Sequence, residues 1–208
     1  MLIDWIKLSF ALVLLWVPVT VLHGKRVIYR EVAREWEGHW GRTLGLGWHA
    51  FDLLRAILGA WLMASALARA PEAQGAMKYA AFAAQTAMIA VASILQTMVC
   101  RPPDCAHAPF AFVSGLVLGL MPPLVAGFAL VLTLALTLGS RYAPAFFPLL
   151  AVATCAIGTF FTGRKHLYVM ITAAIATGLP WLLVLLFPRN LVCSHLAKRK
   201  VTAASPPR

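Results

Sequence analysis

Charge is what this chain has least of. Only 12% of its 208 residues are Asp, Glu, Lys or Arg, and just 7 of those are acidic. A soluble domain of this length carries about twice that share of charge, so a water-soluble globular fold is excluded. Serine and carboxylates are too sparse for a serine hydrolase. No P-loop, GxSxG, HExxH or CxxC pattern occurs, which removes the usual machinery of nucleotide-driven, esterase and zinc-protease chemistry. No cofactor is implied.

What fills the space is apolar. Hydrophobic residues make up 61% of the chain, with a mean hydropathy of +0.80. They fall in runs at residues 2–22, 44–68, 77–99, 110–138, 143–161 and 167–187. A bilayer core about 30 Å thick is crossed by roughly 20 apolar residues of helix. The expectation is an all-α polytopic membrane bundle of about six membrane segments over residues 1–188, then a basic tail at 189–208. The first run reads as a helix rather than a signal peptide. Residues 18–23 offer no small-x-small cleavage site, and Asp4 sits where a signal peptide is basic.

Residues 25–40 place Val27/Ile28, Val32, Trp36 and Trp40 opposite Arg26, Arg30, Glu31, Arg34, Glu35 and Glu37. That spacing predicts an amphipathic helix lying in the headgroup region. A solvated extension of a membrane helix would give the same pattern.

The run at 110–138 is too long for one straight span, about 44 Å at 1.5 Å per residue. Pro122-Pro123 interrupts it, removing backbone donors and pushing Met121 out of the α region. It is either one kinked span or a hairpin that returns to its own side. Loop charge separates the two. A hairpin puts twelve basic residues (Lys25, Arg26, Arg30, Arg34, Arg42, Arg101, Arg141, Arg189, Lys198, Arg199, Lys200 and Arg208) on one side. Arg69, Lys78, Arg164 and Lys165 fall on the other, whereas a single crossing divides the charge eight against eight. The positive-inside rule favours the hairpin, with the N-terminus outside, the C-terminus cytoplasmic and the cell membrane as location. The net charge of +11 then reads as topology signal and attraction to anionic lipid headgroups, not as a nucleic-acid footprint.

Chemistry is expected first on the second helix. His49, Asp52 and Arg55 follow one another at steps of three, so they neighbour each other along one side. An unpaired charge near the membrane centre costs at least about 2.5–3.5 kcal/mol, so Asp52 and Arg55 should pair. Such a pair either orients the helix in the bundle or forms a polar site, with His49 and Asp52 passing a proton or Arg55 holding an anion. A polar stripe of Gln85, Thr86, Ser93, Gln96 and Thr97 on the third helix is either interhelical hydrogen bonding or a wall of the same site. Cys100, Cys105 and His107 crowd within eight residues as weak metal-ligand candidates, with Cys193 and His195 as a second small cluster. Neither spacing matches a zinc pattern, and the intervening prolines would hold the Cys100 and Cys105 thiols apart. In an inverted topology Cys100 and Cys105 would instead close a small disulfide loop. The Pro-Pro break and the basic rim Gly163-Arg164-Lys165-His166 are further candidates for anion or headgroup contact.

Three functions follow from these residues. The leading one is a permease-like or solute-binding protein with His49, Asp52, Arg55, Gln85, Ser93 and Gln96 around a small molecule, coupled to protons rather than ATP. A membrane enzyme acting on a lipid-linked substrate is the second. A non-catalytic accessory subunit, bound to a membrane partner, is the third.

Overall fold

The computed structural model describes residues 3–18, 21, 27–31, 46–67, 76–100, 105–187 and 189–196. They are predominantly helical. Among the described residues seven α-helices run in order: α1 (Trp5–Trp16), α2 (Leu46–Ala66), α3 (Ala76–Met98), α4 (Phe110–Leu120), α5 (Pro123–Ser140), α6 (Phe146–Thr162) and α7 (Leu167–Leu186). Four segments of the described residues are long and apolar enough to cross a membrane: Tyr79–Met98, Pro123–Ser140, Ala143–Thr162 and Leu167–Leu186. The 21-residue α2 has the length but not the hydropathy, because His49, Asp52 and Arg55 dilute it.

The distribution of side chains is that of a protein solvated by lipid. Leu124, Val131, Val152, Phe160 and Leu186 point outward, while Asp52, Arg55, Ser93, Gln96 and Thr97 are buried. Even α2 follows this rule: Phe51, Leu54, Leu58 and Trp61 are exposed at helical spacing, and its charges face inward.

Contacts fix the helix directions. The Asp4 N–H donates to the Ala66 carbonyl at 3.2 Å, so α1 and α2 are antiparallel, with the start of α1 beside the end of α2. Phe110 packs against Phe146 and Phe147, with ring centroids 5.2 and 5.0 Å apart. At the far end of α6, Phe128 stacks on Phe161 at 5.6 Å. Thus α4 runs along α6 and α5 runs back against it, and the chain reverses at Met121-Pro122-Pro123. Met121 and Pro122 are both extended there, as the two prolines demand.

Glycine makes the tightest of these contacts. A Cβ on Gly115 would lie 2.5 Å from the Leu53 carbonyl, and one on Gly119 would lie 2.6 Å from that of Ile57. Ala56 and Ala60 face the same two glycines. The GxxxG run of α4 therefore lies directly on the backbone of α2, as small-residue interfaces allow in lipid.

The all-helical expectation has to make room for a sheet. Strands β1 (Val27–Glu31), β2 (Cys105–His107) and β3 (Asn190–Leu196) form a three-stranded sheet in the order β1-β3-β2, gathered at one end of the bundle. β1 is antiparallel to β3, with Tyr29 opposite Ser194, and β2 is parallel to it, with Ala106 opposite Leu191. Val27–Glu31 is therefore a strand where an interfacial helix was expected, and residues 32–40 lie outside the described residues. Its Val-Ile-Tyr start suits a strand once a partner is present, and that partner comes from the opposite end of the sequence. The first part of the expected tail, Asn190–Leu196, is the central strand.

The first helix is also shorter than its apolar run. α1 has 12 residues, about 18 Å. Val17 leaves the helix at φ −78° and ψ 111°, the extended geometry that precedes a proline, here Pro18.

Candidate functional site

A helix that stops leaves its last carbonyls without intrahelical donors, and in lipid no water replaces them. α1 stops within the bundle, and the residues singled out on α2 and α3 converge on that stop. Arg55 Nη1 donates to the Leu14 carbonyl at 2.6 Å and also to the Val17 carbonyl. Gln96 Nε2 donates to the Leu15 carbonyl at 3.0 Å. The cation also sits at the negative end of the α1 dipole.

Asp52 completes the arrangement. It accepts on Oδ1 from Arg55 Nε at 3.2 Å and from Nη2 at 2.5 Å. Both residues are only 6% exposed. The Phe112 ring of α4 lies under the guanidinium, 5.3 Å from its centroid. Four of the five N–H groups that an arginine carries are thus directed to protein acceptors.

Beside this cluster, His107 of β2 caps a second helix end. Its buried Nδ1–H donates to the main-chain carbonyl of Gln96 at 3.2 Å, in the last turn of α3. Burial pushes the imidazole pKa down to about 4. The Asp52 charge and the bond to Gln96 pull the other way, and His49 adds slightly to the lowering. His107 is therefore neutral near pH 7. The titratable groups His49, Asp52 and His107 stand close enough to feel one another where α2 meets β2.

Ser93 serves a different break. Pro180 lies inside α7, and its missing N–H is the one that would bond the Ala176 carbonyl. Ser93 Oγ donates to that carbonyl at 2.8 Å. Thr86 and Thr172 join their hydroxyls at 2.8 Å between α3 and α7, and Thr97 bonds back to the Ser93 carbonyl. Gln85 is half-buried on α3, three turns before Gln96, and takes no part in these bonds.

Of the six residues predicted to surround one site, the structure joins Asp52, Arg55 and Gln96 through the α1 terminus and sets His49 nearby. Ser93 and Gln85 lie apart from that group. The carbonyls of α1 belong to it and were not anticipated, and His107, expected only as a weak metal-ligand candidate, stands beside it. No group of three or more His, Cys, Asp or Glu able to hold a metal exists among the described residues. Cys100 and Cys105 stand with their sulfurs 2.8 Å apart, so the thiols lie together and are not held apart as expected. Two sulfurs bound to one tetrahedral zinc lie about 3.8 Å apart, and His107 is directed at Gln96.

A groove of about 780 Å³ opens on α6, lined by Ala151, Val152, Cys155, Ala156, Thr159 and Phe160. It is not on the helices that carry the charged pair. No protein-family model, curated protein or solved structure matches the chain.

Proposed function

We propose that this chain is a non-catalytic multi-pass membrane protein, an accessory subunit of a membrane assembly, whose polar interior fastens its own helices. The observation that carries the reading is the saturation of Arg55 by Asp52 and by the carbonyls that end α1. An arginine held for a passing anion keeps its donors directed into an open cavity, whereas this one closes a broken helix. Gln96 and Ser93, two of the polar residues of the α3 stripe, also donate to main-chain carbonyls. In the bilayer the hairpin counts with the spans to give about six membrane segments. The sheet end faces the cytoplasm, with Arg141 and Arg189 near anionic headgroups.

One observation favours the permease-like reading as an alternative. His49, Asp52 and His107 form a titratable cluster at the sheet end, a place where a proton could be taken up during solute exchange. Asp52→Asn distinguishes the two. The subunit reading expects a lower unfolding midpoint in detergent and loss of a partner that co-purifies at fixed stoichiometry with the wild type. Wild-type folding of the variant, together with loss of proton-coupled solute uptake by reconstituted vesicles, would overturn it in favour of the permease.

A further inference from the structure

We propose that Cys100 and Cys105 are a thiol–disulfide exchange pair that closes intramolecularly by reaction with a small-molecule disulfide such as oxidised glutathione. Cys100 follows the end of α3, where its N–H donates to the Met98 carbonyl at 2.9 Å. Cys105 opens β2. The sulfurs are 2.8 Å apart, and forming a bond of about 2.05 Å asks them to approach by only ~0.8 Å. A second contact holds the same two segments together independently of sulfur: two residues after Cys105, His107 donates to the Gln96 carbonyl of α3. The ends of the six-residue loop are therefore already registered for closure.

Exposure sets the order of events. Cys100 is half-buried and Cys105 is buried, so Cys100 meets the reagent. Its thiolate attacks one sulfur of the small disulfide, forming a mixed disulfide and expelling the first small thiolate. The Cys105 thiolate then attacks the Cys100 sulfur, forming the internal bond and expelling the second. The two protons lost by the cysteines end on the two released thiols. The protein pair is oxidised by two electrons, and the small disulfide is reduced by the same two.

Closure would tie the end of α3 covalently to β2, and through its pairing with Asn190 to the central strand. At the cytoplasmic face, where thiols are kept reduced, the pair rests as a dithiol and closes under oxidation.

The test counts thiols. Purified full-length protein in detergent is treated with oxidised glutathione, freed of reagent, denatured and alkylated with N-ethylmaleimide before intact-mass and peptide measurement. Reduced protein takes four adducts, one for each cysteine. Oxidised protein is expected to lose the adducts at Cys100 and Cys105 together and to carry no glutathione on either. Cys105→Ser is expected to trap glutathione on Cys100, and Cys100→Ser to abolish the paired loss, so either variant suffices if the other does not fold. Retention of both adducts after oxidation, stable glutathione on Cys100 in the wild type, or a bond from either cysteine to Cys193 would each overturn the proposal.

Discussion

The two halves of the bundle differ in how many of their polar side chains reach beyond their own helix. In the half made of α1 to α4, hydroxyls such as those of Ser9, Thr97 and Ser114 bond back within their own helix. Four larger side chains there reach across to other elements: Arg55 and Gln96 to the end of α1, Trp16 Nε1 to the Met88 carbonyl at 3.0 Å, His107 to the end of α3. In α5 and α6 the bonded hydroxyls turn back on their own helix, Thr159 adding a 3.8 Å contact to the Met170 sulfur of α7, while the buried Thr133 hydroxyl has no partner among the described residues. Thr137 bonds the Thr133 carbonyl, Thr159 that of Cys155 and Thr162 that of Gly158. Those two helices meet instead through Phe128 on Phe161 and through small residues.

The difference follows from where helices break. A carbonyl inside a continuous helix is already bonded, so a hydroxyl in lipid finds its partner one turn back; Trp16 Nε1, on Met88, is a second donor to such a carbonyl. A helix end or an internal proline frees a carbonyl, and a donor from another helix then gains more by reaching it than by staying local. α1 ends inside the bundle, α3 ends under β2, and α7 contains Pro180. The bridges to Leu14, Leu15, Val17, Gln96 and Ala176 go to carbonyls freed in this way.

Substitutions can break that contrast. The largest effect belongs to Arg55→Leu, which leaves Asp52 buried without its partner and the Leu14 and Val17 carbonyls without their donor. It should cost about 3–5 kcal/mol, read from reversible unfolding in mixed micelles. Thr137→Val, in the other half, should stay within about 1 kcal/mol because its only bond is to its own helix. Equal losses from the two variants would remove the distinction.

The next effect is one of pH. The His107 pKa of about 4 in the folded chain lies below its ordinary value of 6.5. As pH falls, the unfolded chain takes up the proton first. Stability is therefore full above pH 6.5 and declines toward pH 4, by up to ~3 kcal/mol. Unfolding midpoints measured across that range should slope for the wild type, and the slope should flatten in His107→Gln. A wild-type profile without a slope would show that the imidazole is not held neutral by burial.

Ser93→Ala sharpens the comparison at smaller scale. Losing the bond to Ala176 should cost about 1 kcal/mol. Pro180→Ala restores an N–H that can bond Ala176 within α7, so Ser93→Ala should cost less in that background. A double-mutant cycle reads the coupling, and additive losses would mean that Ser93 does not compensate for the proline.

Several elements could be read from the chain. The Asp52–Arg55 contact follows from a spacing of three on a helix too apolar to leave either charge alone. The break at Met121-Pro122-Pro123 follows from proline geometry. The strands were hidden because β2 has three residues and β1 meets a partner some 160 positions away, so no local period announces them. The close contact of α4 on α2 had a signal in Gly115 and Gly119, and the rescue by Ser93 had one in Pro180. Those signals show where backbone becomes accessible but do not name the helix that uses it.

The sequence by itself determined the solvent, the helical character and the need for Asp52 and Arg55 to be neutralised together, because transfer free energies and helix spacing act over a few turns of chain. Only the tertiary structure decided that Arg55 closes the end of α1, that Gln96 shares that task while His107 caps α3, and that three distant segments make one sheet. Those choices depend on which freed backbone group each side chain can reach, and reach exists only after the helices have packed.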